Sequence, residues 1–307
     1  MELLIVESPS KAKTIKKYLG NNFKVMASVG HIKDLPEKEL GVDLQHDFKP
    51  KYVTIKGKSK IISNLKESAQ SAQRVYLAPD PDREGEAIAW HIANVIDVPS
   101  DRVQRVLFNE ITESGIRYGL SHPRQIDMSL VNAQQARRVL DRLVGYQVSP
   151  FLWRSLYSGL SAGRVPSGAV RIICETEVEI EKFIPLEYWE ITALLQTPQN
   201  EKFSAKLIKI DNKKTDISNA SDANKHLAIL KNANYQVSNI EEQEVTKSPA
   251  TPFTNSTLQQ EATRRFRYSP EKTMRIAQNL YEGVEIGGEP VGLITYMRTD
   301  SVRISKE

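Results

Sequence analysis

The chain's apolar positions change their period along its length, and those changes divide it. Leu3-Leu4-Ile5-Val6 is a short apolar run that reads as a buried strand ending on Glu7. Ser8-Pro9 then supplies an N-cap and a first helical position. The helix they open runs to Leu19, burying Ala12, Ile15 and Tyr18 or Leu19 and leaving Lys11, Lys13, Lys16 and Lys17 outside. Phe23 to Val29 alternates as a second strand, stopped by Gly30. The lysine-rich stretch from His31 to Lys60, with Pro36 and Pro50, predicts loops around a short strand at Tyr52-Val53-Thr54-Ile55. A helix over Ile61–Ala72, a strand at Val75-Tyr76-Leu77-Ala78, a helix burying Ile88, Ala89, Ile92, Val95 and Ile96, and a strand from Val103 to Phe108 follow. Thr112 caps a further helix. Strands alternating with helices through residue 120 predict a compact parallel α/β domain.

Beyond it the period becomes helical. Val131 to Tyr146 carries the stripe Ala136, Val139, Leu140, Leu143 and Val144, and Ala169 to Phe183 is a second helical segment after the flexible run Leu160–Gly168. From Trp189 to Val245 the pattern alternates in three pieces, Trp189–Ala193, Phe203–Ile210 and Tyr235–Val245, broken by one short helix near Asp222–Leu230. Ser256 and Gln259 fit a capping box opening a helix to Phe266. Ser269-Pro270 opens another, with Met274, Ala277 and Tyr281 buried and Gly283 as its stop. The turn Gly287-Gly288-Glu289-Pro290 leads to Gly292–Ser301, where Ser301 reads as the cap of a last helix.

Composition narrows the class. A 307-residue chain should divide into two or three domains, and 40% hydrophobic with 26% charged residues is ordinary for a soluble globular protein. Cys174 is the sole cysteine, so no intramolecular disulfide can form; a cytosolic setting is the simplest reading, with Cys174 as a small core residue. The opening Met1–Val6 is too short for a signal peptide and Glu2 has the wrong charge, and no apolar run is long enough to span a membrane. The net charge of +4 is modest, but residues 1–60 hold twelve lysines against seven acidic residues, and Arg137, Arg138 and Arg142 cluster later. Basic faces beside an acidic site suit a metal-dependent enzyme acting on a polyanion.

The acidic site would be Asp80-Pro81-Asp82-Arg83-Glu84-Gly85-Glu86, a turn between strand and helix. Asp80 and Asp82 are two apart and point to one side in extended chain, and Glu84 sits where the helix begins. Converging carboxylates repel unless a cation shares them, and hard oxygen ligands suit Mg²⁺. The same residue types also serve as helix caps. Glu7 lies at the carboxyl end of a strand and Lys11 in the first turn of the next helix, the edge where parallel sheets bind ligands and phosphate. His31 follows a strand-ending glycine, as a phosphate contact or an ordinary surface histidine. Arg137–Asp141 is a favourable i,i+4 pair; Arg138–Arg142 is a repulsive one that an outside anion or plain solvation would relieve.

Together, Glu7-Ser8-Pro9-Ser10-Lys11, the acidic turn and Phe108-Asn109-Glu110-Ile111-Thr112 resemble a toprim domain. With Asn132–Arg138, Phe253–Ala262 and Gly292–Ser301, the chain resembles the bacterial type IA DNA topoisomerases from end to end. The resemblance implies a multidomain α/β and α+β protein: a Rossmann-like toprim domain over 1–128, a helical base over 129–184, a β arch over 185–252 and the start of a helical tyrosine-bearing domain over 253–307, parts of an incomplete torus. It implies Tyr296 as the nucleophile that keeps a 5′-phosphate, Arg298 stabilising the transferring phosphoryl group, Glu7 as acid and base for the 3′ oxygen, and Lys11 holding the scissile phosphate. Asp80, Asp82 and Glu84, joined by Glu7, would bind Mg²⁺. Arg105, Arg138, Arg164, Ser161 and His31 would contact DNA, with Asp141 orienting an arginine. It further implies single-stranded regions of negatively supercoiled DNA as the partner, no ATP, no membrane, a monomer, and a cytoplasmic, nucleoid-associated location.

Two departures qualify this. The chain ends eleven residues after Tyr296, where the family continues with the pieces that close the torus, so an N-terminal portion without strand passage is expected. Pro166 and Gly168 stand where the family has glutamine and an apolar residue, which predicts a late helix start and a displaced Arg164. The competing readings are another toprim enzyme, of the primase or nuclease type, and an inactive fragment that binds single-stranded DNA.

Overall fold

A computed structural model describes residues 1–302 and divides them into two compact units, Met1–Ser167 with Pro249 onwards, and Gly168–Ser248. The first unit is built on a four-stranded parallel sheet. Its strands are β1 (Glu2–Val6), β2 (Phe23–Ala27), β3 (Val75–Leu77) and β4 (Val103–Arg105), in the order β2-β1-β3-β4. The register sets Leu3 against Lys24 and Val75, Ile5 against Leu77, and Leu77 against Arg105. From Leu3 to Val6 strand β1 is apolar because both its faces are covered. Leu3 and Ile5 pack with Leu65, Ile88, Ile92 and Ile96 from α2 (Ser59–Ser71) and α3 (Arg83–Ile96). Leu4 and Val6 pack on the other face with Ile15 of α1 (Pro9–Leu19), Ile116 of α4 (Glu113–Ser121), Phe108 and Tyr281.

Two further helices continue the first unit. Helix α5 (Met128–Leu143) is capped by Asp127 and runs through a π turn, Val144–Val148, into α6 (Ser149–Ser155). Helix α7 (Arg164–Lys182) spans the division between the units. It starts at Arg164, five residues before the expected Ala169. Pro166 does not delay it, because the first four N–H groups of a helix have no intrahelical acceptor and proline removes only one of these. Ser167 N already bonds Gly163 O at 2.9 Å, the first helical hydrogen bond. No residue of α7 is buried, and Cys174 upon it is exposed rather than a core residue.

The second unit pairs β5 (Thr192–Gln196) antiparallel with β6 (Lys202–Lys206) and packs Ile191 and Ile217 against Ala223 of α8 (Ala220–Leu230). The expected strand over Tyr235–Val245 does not form. Alternation marks a half-buried surface, but a strand also needs a partner ladder, and none runs beside it among the described residues.

In the first unit the chain returns through α9 (Asn255–Phe266), α10 (Pro270–Glu282) and a hairpin of β7 (Val284–Ile286) with β8 (Glu289–Val291). The capping box of α9 is Thr254 with Thr257, two residues earlier than Ser256 and Gln259, since Thr254 Oγ1 is the acceptor placed for the Thr257 N–H. Ser269 caps α10 and Gly283 ends it at φ 127°, where a Cβ would also lie 2.5 Å from Thr14 Oγ1. Ser301 lies within the described residues, but the helix expected beyond it lies mostly outside them.

Candidate active site

The carboxyl edge of the sheet gathers the candidate residues. β3 leads into Ala78-Pro79-Asp80, and Asp82 caps α3 through Oδ1, which accepts the Gly85 N–H at 2.8 Å. The turn is so tight that a Cβ on Gly85 would stand 2.1 Å from Asp80 O, so any side chain there would force the turn to shift. Beneath it lies a buried ionic knot. Glu86 accepts from Arg105 Nε at 3.0 Å, Arg124 Nη2 at 2.9 Å and Asp127 N at 2.7 Å. Arg105 spends its remaining donors on four carbonyls, those of Leu77, Pro79 and Val106 from Nη1 and that of Asp80 from Nη2. Its side chain is 0% exposed, so the expected DNA contact is corrected: Arg105 holds the acidic turn in shape from inside. Its place inside the strand expected from Val103 to Phe108 carried that signal.

Glu7 and Lys11 meet this turn from β1 and α1. Lys11 Nζ donates to Asp80 Oδ1 at 2.8 Å and lies 3.6 Å from Glu7 Oε1. Glu7 Oε2 accepts the Asp80 N–H at 3.1 Å, while its buried Oε1 has no hydrogen-bond partner among the described residues. Burial, against the pull of Lys11 and with the help of Asp80, raises the Glu7 carboxyl to about 8. Asp80 goes the other way. Burial works against its ionisation, but Lys11 and hydrogen bonds from Glu7, Lys11 and Gln278 hold it below the usual carboxylate range. One carboxyl is kept as an acid and its neighbour as a base-form anion, the division an acid catalyst needs.

Tyr296 enters from more than two hundred residues away. Its N–H bonds Asn109 O at 2.8 Å and its hydroxyl donates to Asp82 Oδ2 at 2.6 Å. Arg298 Nη1 donates to the same oxygen at 3.2 Å. Gly292 permits this approach, since a Cβ there would stand 2.9 Å from both Ile111 O and Tyr281 O. Burial, then the bond to Asp82, pushes the Tyr296 phenol well above its ordinary value, so it is neutral at physiological pH. A cleft of about 510 Å³ is lined by Glu7, Asp80, Asp82, Glu84, Gln278 and Arg298.

As donors, Asp80, Asp82 and Glu84 suit a hard cation; as arranged, they do not gather around one. Asp80 is turned to Lys11 and Gln278, Asp82 to Gly85, Tyr296 and Arg298, and Glu84 Oε2 to Gln134 at 3.1 Å and His31 at 3.4 Å. Among the described residues no group of three His, Cys, Asp or Glu side chains is placed to hold a metal ion. The expected Mg²⁺ set, Glu7 included, is therefore not assembled in this arrangement.

A second, basic cavity of about 470 Å³ adjoins it, lined by His31, Lys33, Lys58, Arg137, Arg138 and Asp141. Arg138 pairs with Asp34 through two bonds of 2.9 and 2.5 Å, and Arg142 bonds Pro36 O at 2.8 Å and Tyr146 Oη at 2.9 Å. The repulsion between these arginines is thus answered from within the chain. Asp141 lies 3.0 Å from Arg164 and 3.9 Å from Arg137. Ser161 sits exposed in the irregular segment before α7.

Sequence reasoning passed over Gln278 and Glu86 as site residues and took Tyr281 for core alone. Gln278 Nε2 bridges Asp80 Oδ2 at 3.1 Å and Glu282 Oε1 at 2.9 Å. Gln278, Tyr281 and Glu282 stand at i, i+3 and i+4 on α10 and so share one helix face, the one signal the sequence offered for them.

Comparison with known proteins agrees with this layout. Residues 2–111 match the Toprim domain and residues 125–307 match the DNA topoisomerase family. Full-length topoisomerase I from Thermotoga maritima is 45% identical and superposes with a TM-score of 0.84, over 99% of this chain and 50% of that one. The chain thus spans half the length of that protein. It belongs to the bacterial type IA DNA topoisomerase family.

Proposed function

We propose that this chain carries the strand-breaking centre of a topoisomerase that opens one DNA strand through Tyr296 and reseals it without ATP. Tyr296 Oη bonds to the scissile phosphorus as the bond from phosphorus to the 3′ oxygen breaks. The phosphate remains on the enzyme as a 5′-phosphotyrosine. The phenol proton leaves toward Asp82 Oδ2, the acceptor that already faces it at 2.6 Å. Glu7, held protonated, gives its proton to the departing 3′ oxygen. Arg298, beside Tyr296, balances charge on the transferring phosphoryl group, and Lys11 holds the phosphate once DNA displaces Asp80 from it. Resealing runs the same steps backwards, with Glu7 as base. The broken bond's energy stays in the covalent link, which is why no nucleotide is needed.

The observation that carries the reading is the arrival of Tyr296 at a sheet edge already holding Glu7 and Lys11. Mg²⁺ is the cation the resemblance implies; the carboxylates as arranged do not form its site, and no step is assigned to it. Arg138, Arg164, Ser161 and His31, with Asp141 orienting arginines, are proposed to hold the DNA backbone. Single-stranded regions of negatively supercoiled DNA as substrate, relaxation by strand passage, a monomeric state and a cytoplasmic location at the nucleoid are proposed for the whole-length protein. The proposed divisions at residues 128, 184 and 252 go with that architecture. The test is incubation with single-stranded DNA followed by denaturation: a covalent adduct is expected, and Tyr296→Phe should abolish it. An adduct that survives that substitution refutes the assignment.

A further inference from the structure

Tyr281 stands where three parts of the site meet. It is fully buried on α10, and its hydroxyl donates to Phe108 O at 2.5 Å. The next residue's carbonyl, Asn109 O, accepts the Tyr296 N–H at 2.8 Å. The two tyrosines are therefore registered on consecutive residues of one backbone segment. Their rings meet edge to face, with centroids 5.2 Å apart and planes at 66°. The same Tyr281 ring carries the Lys11 ammonium, 5.4 Å from its centroid. The backbone repeats the lock, since Leu293 N bonds Leu280 O at 2.8 Å and Gly292 packs against Tyr281 O. One aromatic side chain thus touches both the attacking residue and the cation that holds the phosphate, and lies on neither side of the bond being broken.

We propose that Tyr281 is a positioning residue that fixes the distance between Tyr296 and Lys11 and so sets the rate of strand cleavage without contributing to DNA binding. This rests on Tyr296 being the nucleophile. Its ring supplies the wall, through the edge contact and the cation–π contact. Its hydroxyl pins that wall to Phe108. Buried as it is, Tyr281 touches no DNA, so its removal alters the geometry of attack and leaves the affinity for the strand unchanged.

The test compares wild type, Tyr281→Phe and Tyr281→Leu in single-turnover adduct formation on a single-stranded oligonucleotide, with folding checked by thermal melting and oligonucleotide affinity by anisotropy. Tyr281→Phe keeps the ring and loses the anchor, and should slow cleavage about 3–10-fold. Tyr281→Leu loses the ring, and should slow it about 100-fold, the scale of a misplacement near 1 Å. Both should bind the oligonucleotide within about twofold of wild type, the limit at which affinity counts as unchanged. A wild-type cleavage rate in the folded Tyr281→Phe protein, or a loss confined to affinity, overturns the positioning role. Should Tyr281→Leu fail to fold, Tyr281→Phe alone decides. Absence of an adduct in wild type overturns the Tyr296 reading and, with it, this one.

Discussion

Replacing Glu7 by glutamine tests how the site delivers a proton. A glutamate in water has a pKa near 4.5, and at pH 7 only about 0.3% of it carries the proton. With the carboxyl raised to about 8 by burial, about 90% carries it at that pH, close to a 300-fold gain in the acid form. The rate of adduct formation should therefore be flat from pH 6 to about 7.5 and fall as pH rises through 8. Tyr296 adds no opposing limb in that range, because its phenol is held above its ordinary value and stays neutral. Glu7→Gln should slow cleavage by about 10²–10⁴ and remove the fall at 8, since an amide neither gives a proton nor titrates. Stability follows the same sign. The folded carboxyl holds its proton more tightly than the unfolded one, so the stabilisation it confers is full below about pH 4.5 and is lost as pH rises through about 8. The melting temperature of wild type should drop across that interval and that of Glu7→Gln should not. The measurement is quenched-flow cleavage of an oligonucleotide at half-unit steps of pH. A rate that rises through pH 8, or a breakpoint near 5 in wild type, refutes the reasoning.

Three further outcomes follow from the site's framework. Arg105→Leu leaves Glu86 buried without its main partner and should cost about 3–5 kcal/mol in urea unfolding, with Arg124 recovering a fraction. Gly85→Ala forces a methyl group against Asp80 O, so about 1–3 kcal/mol of stability should be lost together with adduct formation, as read by denaturant titration and by gel. Arg138→Ala should weaken binding to single-stranded DNA and reduce its salt dependence by about one phosphate contact, measured by anisotropy from 50 to 200 mM salt.

The parallel α/β unit was legible because Leu3–Val6 and Val75–Leu77 are apolar runs and α1, α3, α4 and α5 each start on a side-chain cap. Ser8-Pro9, Thr112 and Ser269-Pro270 all open the helices they announced. Glu7, Lys11 and the acidic turn could be placed at one sheet edge from topology alone. What could not be read was which partner each charge would take. Arg105 and Arg138 look alike in sequence, yet one is sealed beneath the turn and the other faces a cavity, a difference set by side-chain packing. Pattern also misled where it lacked a second strand, as in Tyr235–Val245, and where a proline fell in the first turn of α7. The role of Tyr281 was hidden for the same reason. Its spacing marks a core residue, and only the fold shows what that core touches.

The central claim, that Tyr296 attacks the phosphorus and retains the 5′ end, is tested most directly by the fate of a label. A single strand labelled at its 3′ end should transfer the label to the protein, on the peptide that contains Tyr296. The same strand labelled at its 5′ end should release a shortened fragment with a free 3′ hydroxyl. Label transfer from the 5′ end, or an adduct that maps to any other residue, would contradict the account.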